Sequence, residues 1–190
     1  YTIDRNWRMT SINPQATAWF GPVSVRFLGA DLRPDLKPDL REAIMKLWMD
    51  WIDECDADGL ADFYGLQTIV GRALFEAGEC FVRYRPRRVS DGFLVPMQLQ
   101  LLESEMCPYQ LNRQATNGNW IMNGIELDFL GARAAYWFYP IHPGDMPIEA
   151  VSSMDPVRVP ASEVLHIFKC TRPGQMRGVP LVTPALIRLF

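Results

Sequence analysis

Histidine is scarce in this sequence, and cysteine is scattered. There are two histidines, His142 and His166, and four cysteines with no Cys-x-x-Cys spacing. Zinc sites usually draw on closely spaced ligand pairs, so the spacing does not support zinc held by the two histidines and a cysteine. Scattered thiols are typical of reduced core residues in an intracellular protein, and here they are Cys55, Cys80, Cys107 and Cys170. His166 lies in an alternating segment, where we expect a hydrogen-bonded structural residue.

The short motifs of common catalytic sites are also missing. The sequence contains neither a Gly-x-Ser-x-Gly nucleophile elbow nor a phosphate-binding glycine loop. Glu103 and Glu105 share the end of a predicted strand, but acid–base catalysis needs partners across a cleft, which a sequence does not reveal. We therefore predict a protein that is not an enzyme and that carries no cofactor.

Long apolar runs and excess basic charge are absent as well. No stretch of about 18 consecutive apolar residues occurs, so we predict no transmembrane helix and no membrane partner. Lysine and arginine number 19 against 22 acidic residues, and the net charge of −3 argues against a protein that coats DNA non-specifically. What is present is a hydrophobic fraction of 48% with six tryptophans, which is typical of a folded globular protein.

Two segments have the apolar spacing of helices. The first repeats apolar residues at Leu40, Ile44, Leu47, Trp51 and Cys55. It predicts a helix over 39–54 that begins with a capping box of Asp39 and Glu42 and buries Trp51. The second lies within 58–77, and Gly78 predicts its end because glycine adopts the left-handed conformation without steric cost. The short acidic turn between them favours an antiparallel helical hairpin.

Alternating patterns dominate the rest of the chain. They predict strands over 79–85 and 97–101, a hairpin over 125–139, and a strand over 163–169. A polar loop follows, in which we expect Gly178 to need a positive φ. The fold class is therefore α+β, with the helical hairpin packed on a mostly antiparallel sheet, ending in the start of a further helix. Residues 1–38 are predicted as an irregular lead-in and 39–190 as the core region, truncated at both ends.

An acidic turn between the two predicted helices is partly similar to a calcium loop. Glu54, Asp56 and Asp58 occupy the first, third and fifth ligand positions, and Gly59 the sixth. The first position is normally Asp, however, and the twelfth position, which needs a bidentate Glu, is Gly65. A polar turn between helices explains the same residues, so we predict no metal there.

One basic cluster stands out, with Tyr84 inside it. Its members are Arg83, Arg85, Arg87 and Arg88. Arginines with an aromatic residue can bind phosphates and stack on bases, which would suit a stand-alone α+β nucleic-acid-binding module. The alternative is that these arginines are solvated and blunt an exposed edge strand.

Several segments, in this order, resemble the lambda-type bacteriophage portal proteins. The shorter ones are 62–67, 78–82, 100–103, 124–131, 135–138 and the pair His142-Pro143. The most specific are Val159-Pro-Ala-Ser-Glu-Val-Leu-His-Ile-Phe168 and Arg172-Pro-Gly-Gln-Met-Arg-Gly-Val-Pro180. Together they cover about 39–190, so the resemblance extends over most of the chain.

The resemblance implies a structural machine part without catalytic residues. Portal proteins of this kind form rings, usually of twelve subunits, at one capsid vertex, through which a terminase pumps double-stranded DNA. The expected partners are thus further copies of the chain, DNA, terminase, and capsid and tail-connector proteins. The expected locations are the virion and, during assembly, the host bacterial cytoplasm, for a tailed phage or a prophage. A mild negative charge suits a channel through which DNA slides without sticking.

Overall fold

The structure, a computed structural model, describes residues 2–3, 9–11, 38–147 and 154–186. The chain divides into two compact units, Tyr1–Lys46 and Leu47–Phe190. In the first unit, strands β1 (Thr2–Ile3) and β2 (Met9–Ser11) pair antiparallel. Apart from Pro38, the rest of the predicted lead-in lies outside the described residues, as do the last four residues of the predicted final helix.

Both predicted helices are present, with shifted ends. Helix α1 spans Pro38–Trp51 and ends three residues before the prediction. Because it begins at Pro38, a favoured first position, Asp39 lies inside the first turn, and its prediction as the capping residue is wrong. Helix α2 spans Phe63–Glu76, and the Asp62 side chain accepts a hydrogen bond from the Gly65 amide at 2.7 Å. The link of residues 52–62 is longer than the short turn that was predicted.

Helix α2 ends where the sequence predicted. Gly78 has a φ of 85°, and its amide donates to the Ala73 carbonyl at 2.9 Å, which closes the last helical turn. Strand β3 (Glu79–Pro86) follows without a loop. The left-handed glycine therefore converts the helix directly into the strand.

Within the second unit, two antiparallel sheets replace the single sheet of the prediction. Strand β3 is central in the first, between β4 (Met97–Leu102) and β10 (Val164–Phe168). The second is a meander whose strands lie in sequence order: β5 (Arg113–Gln114), β6 (Trp120–Met122), β7 (Ile125–Leu127), β8 (Arg133–Phe138) and β9 (Val157–Pro160). The predicted hairpin over 125–139 is β7 with β8. A short helix α3 (Thr183–Leu186) begins near the end of the chain, and the α+β class is confirmed.

The first core cluster joins the two sheets around Phe81. The Phe81 ring meets Tyr136 and Phe138 edge-on, at centroid distances of 5.6 and 5.2 Å, and stacks on His166 at 4.2 Å. Residues from both sheets, and one cysteine from the turn after β4, complete the cluster: Leu102, Ile125, Val159, Val164 and Cys107. Burial of these side chains is the main force that holds the two sheets together.

The second core cluster lies on the opposite face of the three-stranded sheet. Val82 and Leu99 pack there against Trp51 and Leu66 from the helices. Successive strand residues face opposite sides, so Phe81 and Val82 place β3 in both clusters at once. Burial of Trp51 is confirmed, with 6% of the side chain exposed, and its indole nitrogen donates to the Met97 carbonyl at 2.7 Å.

Simple alternation fails at two polar residues. Gln98 and Glu126 alternate with apolar residues in their strands, a pattern typical of solvent-facing positions, but they are 6% and 0% exposed. Gln98 is buried because its amide group donates to the carbonyls of Glu54 and Asp56 in the acidic turn, at 2.7 and 3.0 Å. Buried polar groups need such partners, and only the folded chain supplies them.

Gly178 is needed for close approach, not for a positive φ. Its backbone lies outside the left-handed region, so that prediction is wrong. A Cβ at this position would lie 2.2 Å from the Gly78 carbonyl oxygen and 2.6 Å from the Glu79 Cβ. A Cβ on Gly78 would in turn meet the carbonyl carbon of Val179 at 2.2 Å. The two glycines let two backbone segments touch.

We predict that Gly178→Val destabilises the protein by about 1–3 kcal/mol or more, because the backbone at Gly78 must move to admit the side chain. Urea unfolding measures the change. Gly71→Ala is the matched control: it lies in α2 with no atom within 4 Å of its added Cβ, and it should stabilise by about 0.5–1 kcal/mol. Equal midpoints for wild type and Gly178→Val would contradict the close-approach argument.

Candidate functional site

The predicted basic cluster lies at the end of β3 and is partly neutralised. Arg83 forms an ion pair with Glu163, with 3.6 Å between Nη2 and Oε2. The Nε of Arg87 donates to the buried Oε1 of Gln98 at 2.7 Å. Arg85 is half-buried and Arg88 is exposed. Arg85 and Arg88 are therefore the two arginines of the cluster that remain available to a partner.

The interpretation that these arginines protect an edge strand is wrong for Arg83. Arg83 is paired on both sides, with Val164 of β10 and Gln100 of β4. The pairing of β10 with β3 ends at Arg83, so Arg85 is paired only with a residue of β4. At Arg85 one side of β3 is free of a partner strand in the described part of the chain, and the edge interpretation survives there.

In the acidic turn, the central carboxylate binds backbone amides. Asp56 is 5% exposed, and its two oxygens accept hydrogen bonds from the amides of Asp58, Leu60 and Ala61 at 2.8–3.1 Å. The Glu54 carbonyl accepts from Gln98, as described above. This carboxylate already has the partners that a calcium ion would have to replace, which is the geometry of a polar turn.

A buried ion pair connects segments that are far apart along the chain. The Nε of Arg177 donates to Oε1 of Glu79 at 2.6 Å. Its terminal nitrogens donate to the carbonyls of Ser104, Cys107 and Asn123 at 2.8–3.0 Å. All three nitrogens of the guanidinium thus donate hydrogen bonds, as burial of a charge requires.

Glu79 has two further partners. Its Oε2 accepts from the Gly178 amide at 2.7 Å and lies 2.9 Å from Nε2 of His166. Burial raises the pKa of Glu79, but the hydrogen bonds from His166 and Arg177 outweigh it, so the net pKa is lowered. Burial lowers the pKa of His166, which favours the neutral ring. Since a carboxylate only accepts, the His166 proton lies on Nε2. His166 thus has the hydrogen-bonded geometry of a structural residue.

A second buried carboxylate organises the outer face of the five-stranded sheet. Glu126 accepts two hydrogen bonds from Arg158, at 2.8 and 3.0 Å. Asn117, Asn119 and the indole of Trp137 donate to it as well, at 2.8–3.2 Å. The Arg158 hydrogen bonds, assisted by the others, lower the pKa of Glu126 to about 2. This carboxylate stays ionised and acts as a fixed structural anion.

The buried cysteines are poor nucleophiles. Burial raises the pKa of Cys55 and Cys107 to about 12 and that of Cys80 to about 11. The thiolate, which is the reactive form, is therefore negligible at neutral pH. Cys170 is exposed, contrary to the prediction that all four are core residues.

Folding brings together three residues that the sequence did not connect. Ligand atoms of Glu103, Glu105 and His142 all lie within 4.8 Å of one another. Nδ1 of His142 accepts from the Gly144 amide at 3.0 Å, so the neutral ring carries its proton on Nε2, which faces Glu103 at 3.4 Å. A metal needs a free imidazole lone pair, and the lone pair on Nδ1 already accepts the Gly144 amide. The arrangement is better explained as a contact between the imidazole Nε2 and the exposed carboxylate of Glu103. In the described part of the chain, no cysteine joins the two histidines in such a group.

Residues 10–190 match the family described as "Phage portal protein, lambda family". The chain belongs to this family. It is also similar to a "Probable portal protein" of Halomonas phage phiHAP-1, with 31% identity over 165 residues. That alignment covers 83% of this chain and 30% of the relative, so the chain spans about a third of the relative's length.

Family membership confirms the resemblance seen in the sequence. The most specific resembling segment, Arg172–Pro180, contains three residues with defined tasks in this portal-family fold. Arg177 and Gly178 meet Glu79 and Gly78, as described. Gln175 is 7% exposed, accepts from the Thr171 amide at 2.7 Å and donates to the Arg177 carbonyl at 2.9 Å, which holds the loop closed.

Membrane insertion through a helix finds no support among the described residues. None of the portal-family chain's described helices combines the length and the apolar character needed to cross a bilayer.

We predict that Arg177→Met destabilises the protein by about 3–5 kcal/mol, because it leaves Glu79 buried without its cation. Arg177→Lys should also destabilise, since an ammonium cannot reach all four acceptors. Arg172→Met, on an exposed arginine of the same loop, is the control and should change stability by less than about 0.5 kcal/mol. Denaturant unfolding monitored by tryptophan fluorescence distinguishes these outcomes, and a neutral Arg177→Met would refute the buried-pair argument.

A second prediction concerns acid stability. The folded pKa of Glu126 is lowered from 4.5 to about 2, so its stabilising contribution is complete above pH ~4.5 and is lost as the pH falls towards 2. At full size it amounts to about 3 kcal/mol. Unfolding free energies measured from pH 6 to 2 should fall less steeply for Glu126→Gln than for wild type. Parallel pH profiles would show that Glu126 is not the group responsible.

Proposed function

We propose that this chain is part of the subunit of a portal ring at one capsid vertex. The ring, of twelve copies, forms the channel for DNA packaging and ejection and the attachment point for the tail. Its partners are terminase, capsid proteins and tail-connector proteins, in the host cytoplasm during assembly and then in the virion. The family match across residues 10–190 carries this proposal.

The described interior supports a structural, non-enzymatic role. The buried carboxylates of Glu79 and Glu126 are each saturated by donors from the same chain. The buried thiols have raised pKa values, which removes them as nucleophiles. Such an interior resists deformation and leaves little to react, as suits a subunit through which DNA passes.

Charge supports the same proposal. A protein that slides along DNA must not hold its phosphates tightly, and each arginine bound to a phosphate adds to salt-dependent affinity. The net charge of −3 and the internal bonds of Arg83 and Arg87 limit that affinity. Arg85 and Arg88 still favour a second candidate, a nucleic-acid-binding module, because both retain exposed surface.

The test uses the full-length protein. We expect closed rings of uniform subunit number by negative-stain imaging and native mass spectrometry, with weak binding to duplex DNA at physiological salt. A strictly monomeric protein under all assembly conditions would overturn the portal proposal. Tight, steeply salt-dependent DNA binding by that monomer, lost in Arg85→Gln/Arg88→Gln, would establish the binding module instead.

A further inference from the structure

The loop that connects β3 to β4 exposes apolar and basic side chains together. This loop, residues 87–96, is called the β3–β4 arm. Val89 and Leu94 on it are 84% and 57% exposed. Arg88 is exposed beside Val89, and Arg85 precedes the arm on β3. Exposed apolar residues flanked by cations indicate a contact surface more than a solvated turn.

The arm is held in a defined conformation. The Arg87 amide donates to the Pro96 carbonyl at 2.9 Å and closes the base of the arm. The Arg88 amide donates to Oδ2 of Asp91 at 2.9 Å, and Gly92 ends the short 3-10 turn with a φ of 84°. A partner that binds this arm therefore pays little of the entropy needed to order a loop.

A groove of complementary character lies elsewhere on the same unit. Helix α2 and strand β4 enclose a space of about 400 Å³, whose apolar lining includes Leu60, Leu66, Ile69 and Leu101. Leu60 and Ile69 are 88% and 48% exposed. Besides Asp56, whose carboxylate is bound by backbone amides, the lining carries four acidic residues: Asp58, Glu76, Glu103 and Glu105. It carries one basic residue, Arg72. The groove is thus apolar with an acidic rim.

The arm and the acidic end of the groove are at opposite ends of the three-stranded sheet. The arm follows Pro86, which pairs with Met97, whereas Glu103 follows Leu102, which pairs with Phe81. On β3 these two pairs are five residue steps apart, a distance of about 17 Å. An arm cannot reach the acidic rim of its own copy, but it can reach that of another.

We propose that the β3–β4 arm of one copy binds the groove of a second copy of this chain. Val89 and Leu94 contact the apolar lining, and Arg85 and Arg88 face Glu76, Glu103 and Glu105. Because the two surfaces differ, the contact is head-to-tail, and repetition of such a contact closes into a ring or extends as a filament. This inference rests on the proposed function and assigns the basic cluster to protein contact and not to DNA.

A charge exchange in the full-length protein tests the contact. Arg85→Glu/Arg88→Glu makes the basic side of the contact negative. Glu76→Lys/Glu105→Lys makes the acidic rim of the groove positive and leaves the Glu103–His142 contact intact. We expect each double variant to lower the ring population at least about tenfold in mass photometry at physiological salt. The combination of both should restore it, an outcome that simple damage to folding does not produce.

Two further measurements locate the contact. Arg172→Glu reverses the charge of one exposed arginine outside both surfaces and should leave ring formation unchanged. In a Cys170→Ser background, Val89→Cys with Ile69→Cys should give a ladder of covalent oligomers on oxidation, whereas either cysteine alone should not. A combined charge variant that fails to assemble, together with the absence of a ladder, would overturn the arm–groove contact.

The outcomes separate the inference from the function on which it rests. Rings that form equally well in every charge variant overturn the arm–groove contact and leave the portal proposal standing. A wild-type protein that never forms rings overturns the portal proposal and the contact with it. Loss of DNA binding in the arm variant, with no effect of the rim variant on assembly, reassigns the arm to nucleic acid and also overturns the contact.

Discussion

The carboxylate of Glu79 is buried beneath the start of β3, and Arg177 neutralises it there from the far end of the chain. A buried charge is tolerated only when its partners are complete, so this pair fixes every segment that supplies a partner. The pair ties the loop after β10 to β3, while the carbonyls of Ser104, Cys107 and Asn123 bind the other side of the guanidinium. The contact between Gly78 and Gly178 makes room for this arrangement, because a side chain at either glycine would push the two segments apart.

Glu126 and Arg158 apply the same principle to the second sheet. The two ion pairs thus stabilise both sheets, because their buried groups would cost free energy if they were left unpaired. They act in addition to the apolar cluster around Phe81. The surfaces left for partners are then those whose side chains have no internal role, such as the β3–β4 arm and the groove beside α2.

Prediction from sequence worked best where a local pattern determines structure. The apolar stripe of α2, its end at Gly78 and the alternation in β3 follow from spacing alone, and so does the hairpin of β7 and β8. The candidate site was less predictable. The arginines were identified, but not that Glu163 and Gln98 engage Arg83 and Arg87. The proximity of Glu103, Glu105 and His142 had no signal in the spacing, since His142 is far from both glutamates along the chain.

Three features were predictable from the sequence alone: the α+β class, the helix-to-strand unit of α2 and β3, and membership of the portal family. These depend on periodicity over a few residues and on the order of short motifs. The folded chain was needed to show that β3 to β10 form two separate sheets, that Gln98 and Glu126 are buried, and that Gly178 is needed for close approach. Burial of a polar group depends on partners contributed by distant segments, which a local pattern does not contain. Arg177 and Glu79 are 98 residues apart, and no local pattern shows that they meet.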